Sequence, residues 1–174
     1  MNASMESVVG MLGALLLCSV SNAQTDVWSQ DKADDGTYLY AAVLNADGDL
    51  FGEICYYATK KCSWQMSVAT SCAGNVTAPV LVNADSGTAV LTVQCFGVAQ
   101  NASFYRYQFN WKELETALQG SKTVGIAMAL QANGFKVYRF NLEGMLVAQK
   151  RLESRFFASL PPGPPTAKPA AEVL

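Results

Sequence analysis

The residues of this chain with the most legible chemistry are four cysteines, Cys55, Cys62, Cys72 and Cys95. Their spacings, C-x6-C, C-x9-C and C-x22-C, contain no paired C-x2-C knuckle of the kind that holds zinc. Disulfide formation is the chemistry they fit, and four thiols allow three connectivities. The preferred one joins Cys55 to Cys62, closing the loop YYATKK, and Cys72 to Cys95, tying two strands across the fold. Each bridge adds roughly 3 kcal/mol by removing freedom from the unfolded chain.

Other reactive constellations are missing. The chain has no histidine, which removes Ser-His-Asp and Cys-His nucleophile pairs, histidine metal sites and the commonest general base. It also lacks a C-x-x-C redox motif, a phosphate-binding glycine loop and a G-x-S-x-G elbow. Paired carboxylates for glycoside hydrolysis remain formally available, Asp47 or Glu53 with Glu143. Acids are too common for that pairing to carry weight. Asn45, Asp47 and Asp49 alternate as in a calcium loop, but Leu50 and Tyr56 stand where an EF-hand needs Gly and Glu, so a hairpin turn is the better account. No catalytic residue, metal ligand or cofactor is assigned. The candidate binding residues are Tyr105 and Tyr107, which share a face with Phe109, and Tyr56, Lys60 and Lys61 of the cysteine-closed loop. A one-face aromatic stripe is more often core than a ligand platform.

The elements that must position these groups are mostly strands. Thr37–Asn45 and Leu50–Tyr57 flank the turn at 45–49, and Cys62–Thr70 alternates apolar Trp64, Met66 and Val68 with polar neighbours. Pro79–Asn83 and Thr88–Cys95 flank Asp85-Ser86-Gly87, and Phe104–Phe109 follows. A helix is predicted over Trp111–Gln119, with Asn110 as N-cap, Glu113 three residues on, and Gly120 after its end. Asn133-Gly134 predicts a two-residue hairpin turn that sets Ala129 near Tyr138, Ala127 near Phe140, Gly125 near Leu142 and Leu130 opposite Val137. A second helix follows Gly144, burying Met145, Ala148, Leu152 and Phe156 and exposing Lys150, Arg151 and Arg155. The expected fold class is mainly β: an antiparallel β-sandwich with one or two short α-helices, disulfide-bonded.

The chain's ends set its expected compartment and organisation. Val8–Val20 is an uncharged apolar run followed by Ser21-Asn22-Ala23, a signal-peptidase pattern, although the preceding residues lack the usual Lys or Arg. The run is short of the ~20 residues a membrane helix needs. A lipidated Cys18 is disfavoured by the large Leu17 before it. The reading is a signal peptide at 1–23, a flexible lead-in at 24–36, one β-rich domain at 37–157, and a proline-rich disordered tail at 158–174. Cleavage at Ala23 leaves an even number of cysteines for an oxidising compartment, so the expected location is periplasmic or secreted, with no stable membrane span after cleavage. With the leader removed, 12 basic side chains stand against 13 acidic ones, which argues against a nucleic-acid partner.

Several segments resemble the invasion-associated locus B family of small bacterial periplasmic proteins. They are EICYYATKKCSW, the helix-and-strand stretch FNWKELETALQGSKTVGIAMAL, and RFNLEGMLVAQKRL, whose Phe140, Leu142, Gly144 and Ala148 match a closing F-x-L-x-G-x-x-x-A. The resemblance spans residues 38–152, most strongly the last forty of them. It implies a β-rich, disulfide-bonded envelope protein, in some pathogens linked to host-cell invasion, and it supplies no catalytic residues. The functional expectation is an exported, non-enzymatic binding or adaptor protein whose partner is an unknown protein or envelope component. The alternatives are a carboxylate-based hydrolase of envelope glycans or peptides, and a small secreted inhibitor presenting the Tyr56–Lys61 loop.

Overall fold

The computed structural model describes residues 27–98, 103–130 and 134–161. The leader at 1–23, the 99–102 connection, Asn133 of the expected turn and the proline-rich stretch from 162 lie outside the described residues. The described residues hold nine strands: β1 (Ser29–Lys32), β2 (Tyr38–Leu44), β3 (Leu50–Tyr56), β4 (Lys61–Val68), β5 (Thr77–Ala84), β6 (Gly87–Val98), β7 (Tyr105–Phe109), β8 (Thr123–Leu130) and β9 (Gly134–Asn141). Helix α1 (Trp111–Leu118) separates β7 from β8, and α2 (Met145–Ser159) follows β9.

All nine strands belong to one antiparallel sheet of order β1-β2-β3-β4-β7-β6-β5-β8-β9. The register keeps their alternation in phase. Val43, Phe51 and Met66 lie in line across β2, β3 and β4, and Val82, Ile126 and Tyr138 lie in line across β5, β8 and β9. One face therefore collects the buried apolar core of the strands, and it can leave water only if the sheet curls over that face. The two halves meet where Phe51 of β3 stacks on Phe140 of β9, ring centroids 5.2 Å apart. Trp28 Nε1 latches the ends by donating to the Asn141 carbonyl at 2.9 Å. The two layers of the expected sandwich are thus opposite walls of a single sheet, and the mainly β, disulfide-bonded class with two helices is what the chain adopts.

The helices close the ends of this core. Asn110 caps α1 by accepting from the Glu113 amide at 3.4 Å, and Leu114 and Leu118 are buried. In α2, Ala148, Leu152 and Phe156 pack on Leu39, Ala41 and Cys55 of the sheet. Lys150, Arg151 and Arg155 face water as expected from the helical period.

Two local expectations need correction. The lead-in at 24–36 contains β1, which pairs Ser29–Lys32 with Leu39–Ala42 and extends the sheet. The β8–β9 pairing is displaced by three positions from the register predicted about Asn133-Gly134: Ala129 faces Phe135, Ala127 faces Val137 and Gly125 faces Arg139. An odd displacement exchanges the faces. Val124, Ile126, Met128, Tyr138 and Phe140 point into the core, and the small residues of β8 point out. Burial of that inner set outweighs the two-residue turn preference.

The closest backbone approach lies at the β2–β3 pair. A Cβ on Gly52 would stand 2.4 Å from the Ala41 carbonyl oxygen and 2.6 Å from Ala42 Cα. Gly52→Ala is expected to lower unfolding free energy by about 2–3 kcal/mol through overpacking. A urea-denaturation midpoint equal to that of the unsubstituted protein would contradict this packing.

Candidate functional site

The cysteine-closed loop is built by the β3–β4 hairpin. Cys55 and Cys62 stand directly opposite in register and are bonded, and Cys72 is bonded to Cys95. Both preferred bridges are formed. The intervening loop turns through Lys60, which has a positive φ of 55°, and exposes Lys60 and Lys61. Tyr56 is half-buried on the outer face, 5.4 Å from the Tyr38 ring, and its hydroxyl accepts from Gln65 Nε2 at 3.1 Å.

On the inner face, beneath this loop, lies the least ordinary group of the molecule. Glu53 is fully buried, two residues before Cys55 and opposite Trp64 in the pairing. Its Oε1 lies 3.9 Å from Cys55 Sγ, and its Oε2 has no hydrogen-bond partner among the described residues. Burial, reinforced by Glu153 of α2 and Glu115 of α1, pushes the carboxyl up to about 8. It is therefore a neutral acid at pH 7. Trp64 Nε1 is likewise buried and unpartnered, and Trp64 lies at the base of a cleft of about 610 Å³ between α1 and α2. Gln149 bridges these helices by donating to Glu115 Oε1 at 3.1 Å.

The other sequence-derived candidates are placed apart. Tyr107 is a core residue, 3% exposed, donating its hydroxyl to the Thr70 carbonyl at 2.9 Å, and burial pushes its phenol up to about 12. Tyr105 is half-buried against the same core. Tyr107 is thus interior packing and not a contact surface, while Tyr105 beside it is only partly withdrawn from solvent. The hydrolase pairing fares no better. Glu53 is enclosed by the sheet and α2, whereas Asp47 and Glu143 are exposed at turns. Each of four surface clefts among the described residues is lined by a single carboxylate. The alternating turn at 45–49 satisfies itself: Asn45 Oδ1 accepts from the Asp47 and Asp49 amides at 3.0 and 2.9 Å. Glu53, Cys55 and Cys62 bring three ligand-type atoms within 4.8 Å, but both sulfurs are committed to their disulfide.

The sequence reading missed an outer surface. Val90 of β6, Leu81 of β5, Ala127 of β8 and Val137 of β9 form one outward row across four paired strands. Val90 is 71% exposed, Leu81 44%, and neighbouring Phe135 72%. Lys122, Arg139 and Glu143 rim the groove beside this row. The signal was available in the apolar residues at the outward positions of β5 and β6. The misplaced β8–β9 register hid it.

A single curled antiparallel sheet with two end-capping helices and two disulfides defines the structural class: a small, bridge-stapled β domain. Among solved structures, the chain is similar to the crystal structure of invasion associated protein B from Bartonella henselae, with 17% identity, a TM-score of 0.51, and coverage of 75% of this chain and 94% of that one. The likeness is one of fold and agrees with the resemblance read from the sequence. No family model matches the chain, and no curated protein matches it in sequence. Among the described residues, no helix is long and apolar enough to cross a membrane.

A raised carboxyl has a signed consequence. The folded chain keeps the Glu53 proton up to about pH 8, whereas an unfolded chain releases it near 4.5. Stability from this group is therefore full below the unfolded value and declines as pH rises toward 8, by up to about 1.4 kcal/mol per pH unit. Thermal unfolding between pH 5 and 9 should show this decline, and Glu53→Gln should flatten it. Equal slopes for the two proteins would contradict the burial of an unpartnered acid.

Proposed function

We propose that this chain is an exported, non-enzymatic binding or adaptor protein that works in the periplasm or outside the cell. The partner is another protein or an envelope component, held on the outer face of β6-β5-β8-β9. The observation that carries the reading is the outward row Val90–Leu81–Ala127–Val137, exposed at Val90 and Leu81 and half-buried at Ala127 and Val137, with exposed Phe135 beside it. Apolar side chains contiguous across four strands mark an interaction surface more than scattered exposed ones do. Further support comes from the missing histidine, the separated carboxylates, the two bridges suited to an oxidising compartment, and the fold shared with invasion associated protein B of Bartonella henselae. The inhibitor alternative, with the Tyr56–Lys61 loop as its tip, has less support: Tyr56 is tied to Tyr38 and Gln65 and is not free to enter a cleft.

A photo-crosslinking residue at position 135, irradiated in the intact protein with envelope extract, should yield a discrete adduct. Leu81→Ser with Val137→Ser should suppress it, and the same probe at exposed Lys112 should not form it. An identical adduct pattern at positions 135 and 112 would overturn the assignment of this face.

A further inference from the structure

The two bridges differ in one chemical respect. In each, one cysteine is buried (Cys55, Cys95) and its partner is half-exposed (Cys62, Cys72). Cys95 Sγ accepts from the Gly97 amide at 3.2 Å. Beside Cys55 stands a carboxyl group, with Glu53 Oε1 3.9 Å from the sulfur. Among the described residues, Glu53, Cys55 and Cys62 are the one set of three thiol, imidazole or carboxyl groups gathered within 4.8 Å. Glu53 is fully buried, and no hydrogen bond of Oε2 explains why an acid is kept there. An apolar residue would satisfy the inner face without leaving that atom orphaned.

We propose that Cys55–Cys62 is an exchangeable disulfide, opened by a dithiol reductant at the half-exposed Cys62, with Glu53 as the acid that protonates the departing sulfur of Cys55. One thiolate of the dithiol attacks Cys62 Sγ in line with the bridge. The new S–S bond forms between reductant and Cys62 as the Cys55–Cys62 bond breaks, and the electron pair leaves with Cys55. Glu53 transfers its proton to that sulfur, giving the Cys55 thiol and a Glu53 carboxylate. The second thiolate of the reductant then attacks its own sulfur in the mixed disulfide and releases Cys62 as thiolate, which takes its proton from water. The reductant leaves as a cyclic disulfide, and the protein holds two thiols. A buried sulfur is a poor place to leave an anion, so a proton donor within reach lowers this barrier. The charged groups close enough to act on Glu53 are Glu153 from α2 and Glu115 from α1. From the flanking strands it meets Ala41 of β2 and Trp64 of β4, neither of which ionises. Both facing charges are acids, so they favour the protonated form that the step requires. The inference is independent of the docking face on β6-β5-β8-β9, which lies on the outer side of the sheet.

The test is reduction of the intact, oxidised protein by dithiothreitol under native conditions, with alkylation and peptide mass analysis following each bridge separately. Cys55–Cys62 should open at least tenfold faster in the unsubstituted protein than in Glu53→Gln at pH 7, with Cys72–Cys95 unchanged between them. Divided by the thiolate concentration, the rate in the unsubstituted protein should fall above about pH 8, where Glu53 loses its proton, and stay flat in Glu53→Gln. The second bridge serves as the internal clock for global unfolding. If the substitution slows both bridges equally, opening follows unfolding and the proposal fails. It also fails if Glu53→Gln opens Cys55–Cys62 within twofold of the unsubstituted rate.

Discussion

The structure depends on one constraint: the strands from β2 to β9 present most of their buried apolar side chains to the same face of one sheet, and that face must be removed from water. A flat sheet cannot do this without a second layer. The chain supplies the second layer from itself, bringing β9 back over β3 until Phe140 stacks on Phe51. Trp64 also stacks on Phe51 at 5.2 Å, and Phe109 meets it edge-on at 6.0 Å. Such pairs contribute roughly 0.5–1.5 kcal/mol each beyond the area they bury. Phe51 is therefore the hub through which the two walls are joined, and the helices seal the openings the curl leaves.

Glu53 is placed by the same constraint. It occupies an inward position between Phe51 and Cys55, so strand alternation gives it no route to solvent. Helix α2 covers the sheet around it, and the carboxyl responds by holding its proton. This buried acid thus lies against the more hairpin-like of the two bridges. The outer face has a different character: its outward row on β5, β6, β8 and β9 can meet a partner without disturbing the core. Recognition and redox sensitivity would then use opposite faces of the same sheet.

Much of this was legible in the sequence because local periodicity reports burial. Trp64, Met66 and Val68 of β4 read as a half-buried strand and are one. Asn110 and Glu113 mark the start of α1 through the backbone donors that a helix N-terminus leaves free, and Met145, Ala148, Leu152 and Phe156 mark the buried side of α2. Cysteine spacing led to both bridges. What periodicity cannot report is which strands are neighbours or how two strands slide. The Asn133-Gly134 pair carried a local turn preference, and tertiary burial of Tyr138 and Phe140 fixed a different register. The same limit applied to Glu53. Its inward position follows from alternation with Phe51 and Cys55, but its enclosure requires α2, a hundred residues further on.

The central claim is that the curled sheet with its helices forms a closed interior holding a protonated Glu53. The most direct measurement is a carbon-13 NMR titration of the Glu53 side-chain carboxyl in the oxidised protein. A midpoint near 8 is the predicted result. A midpoint near the ordinary 4.5 would mean that water reaches the carboxyl, and the closed interior would be contradicted.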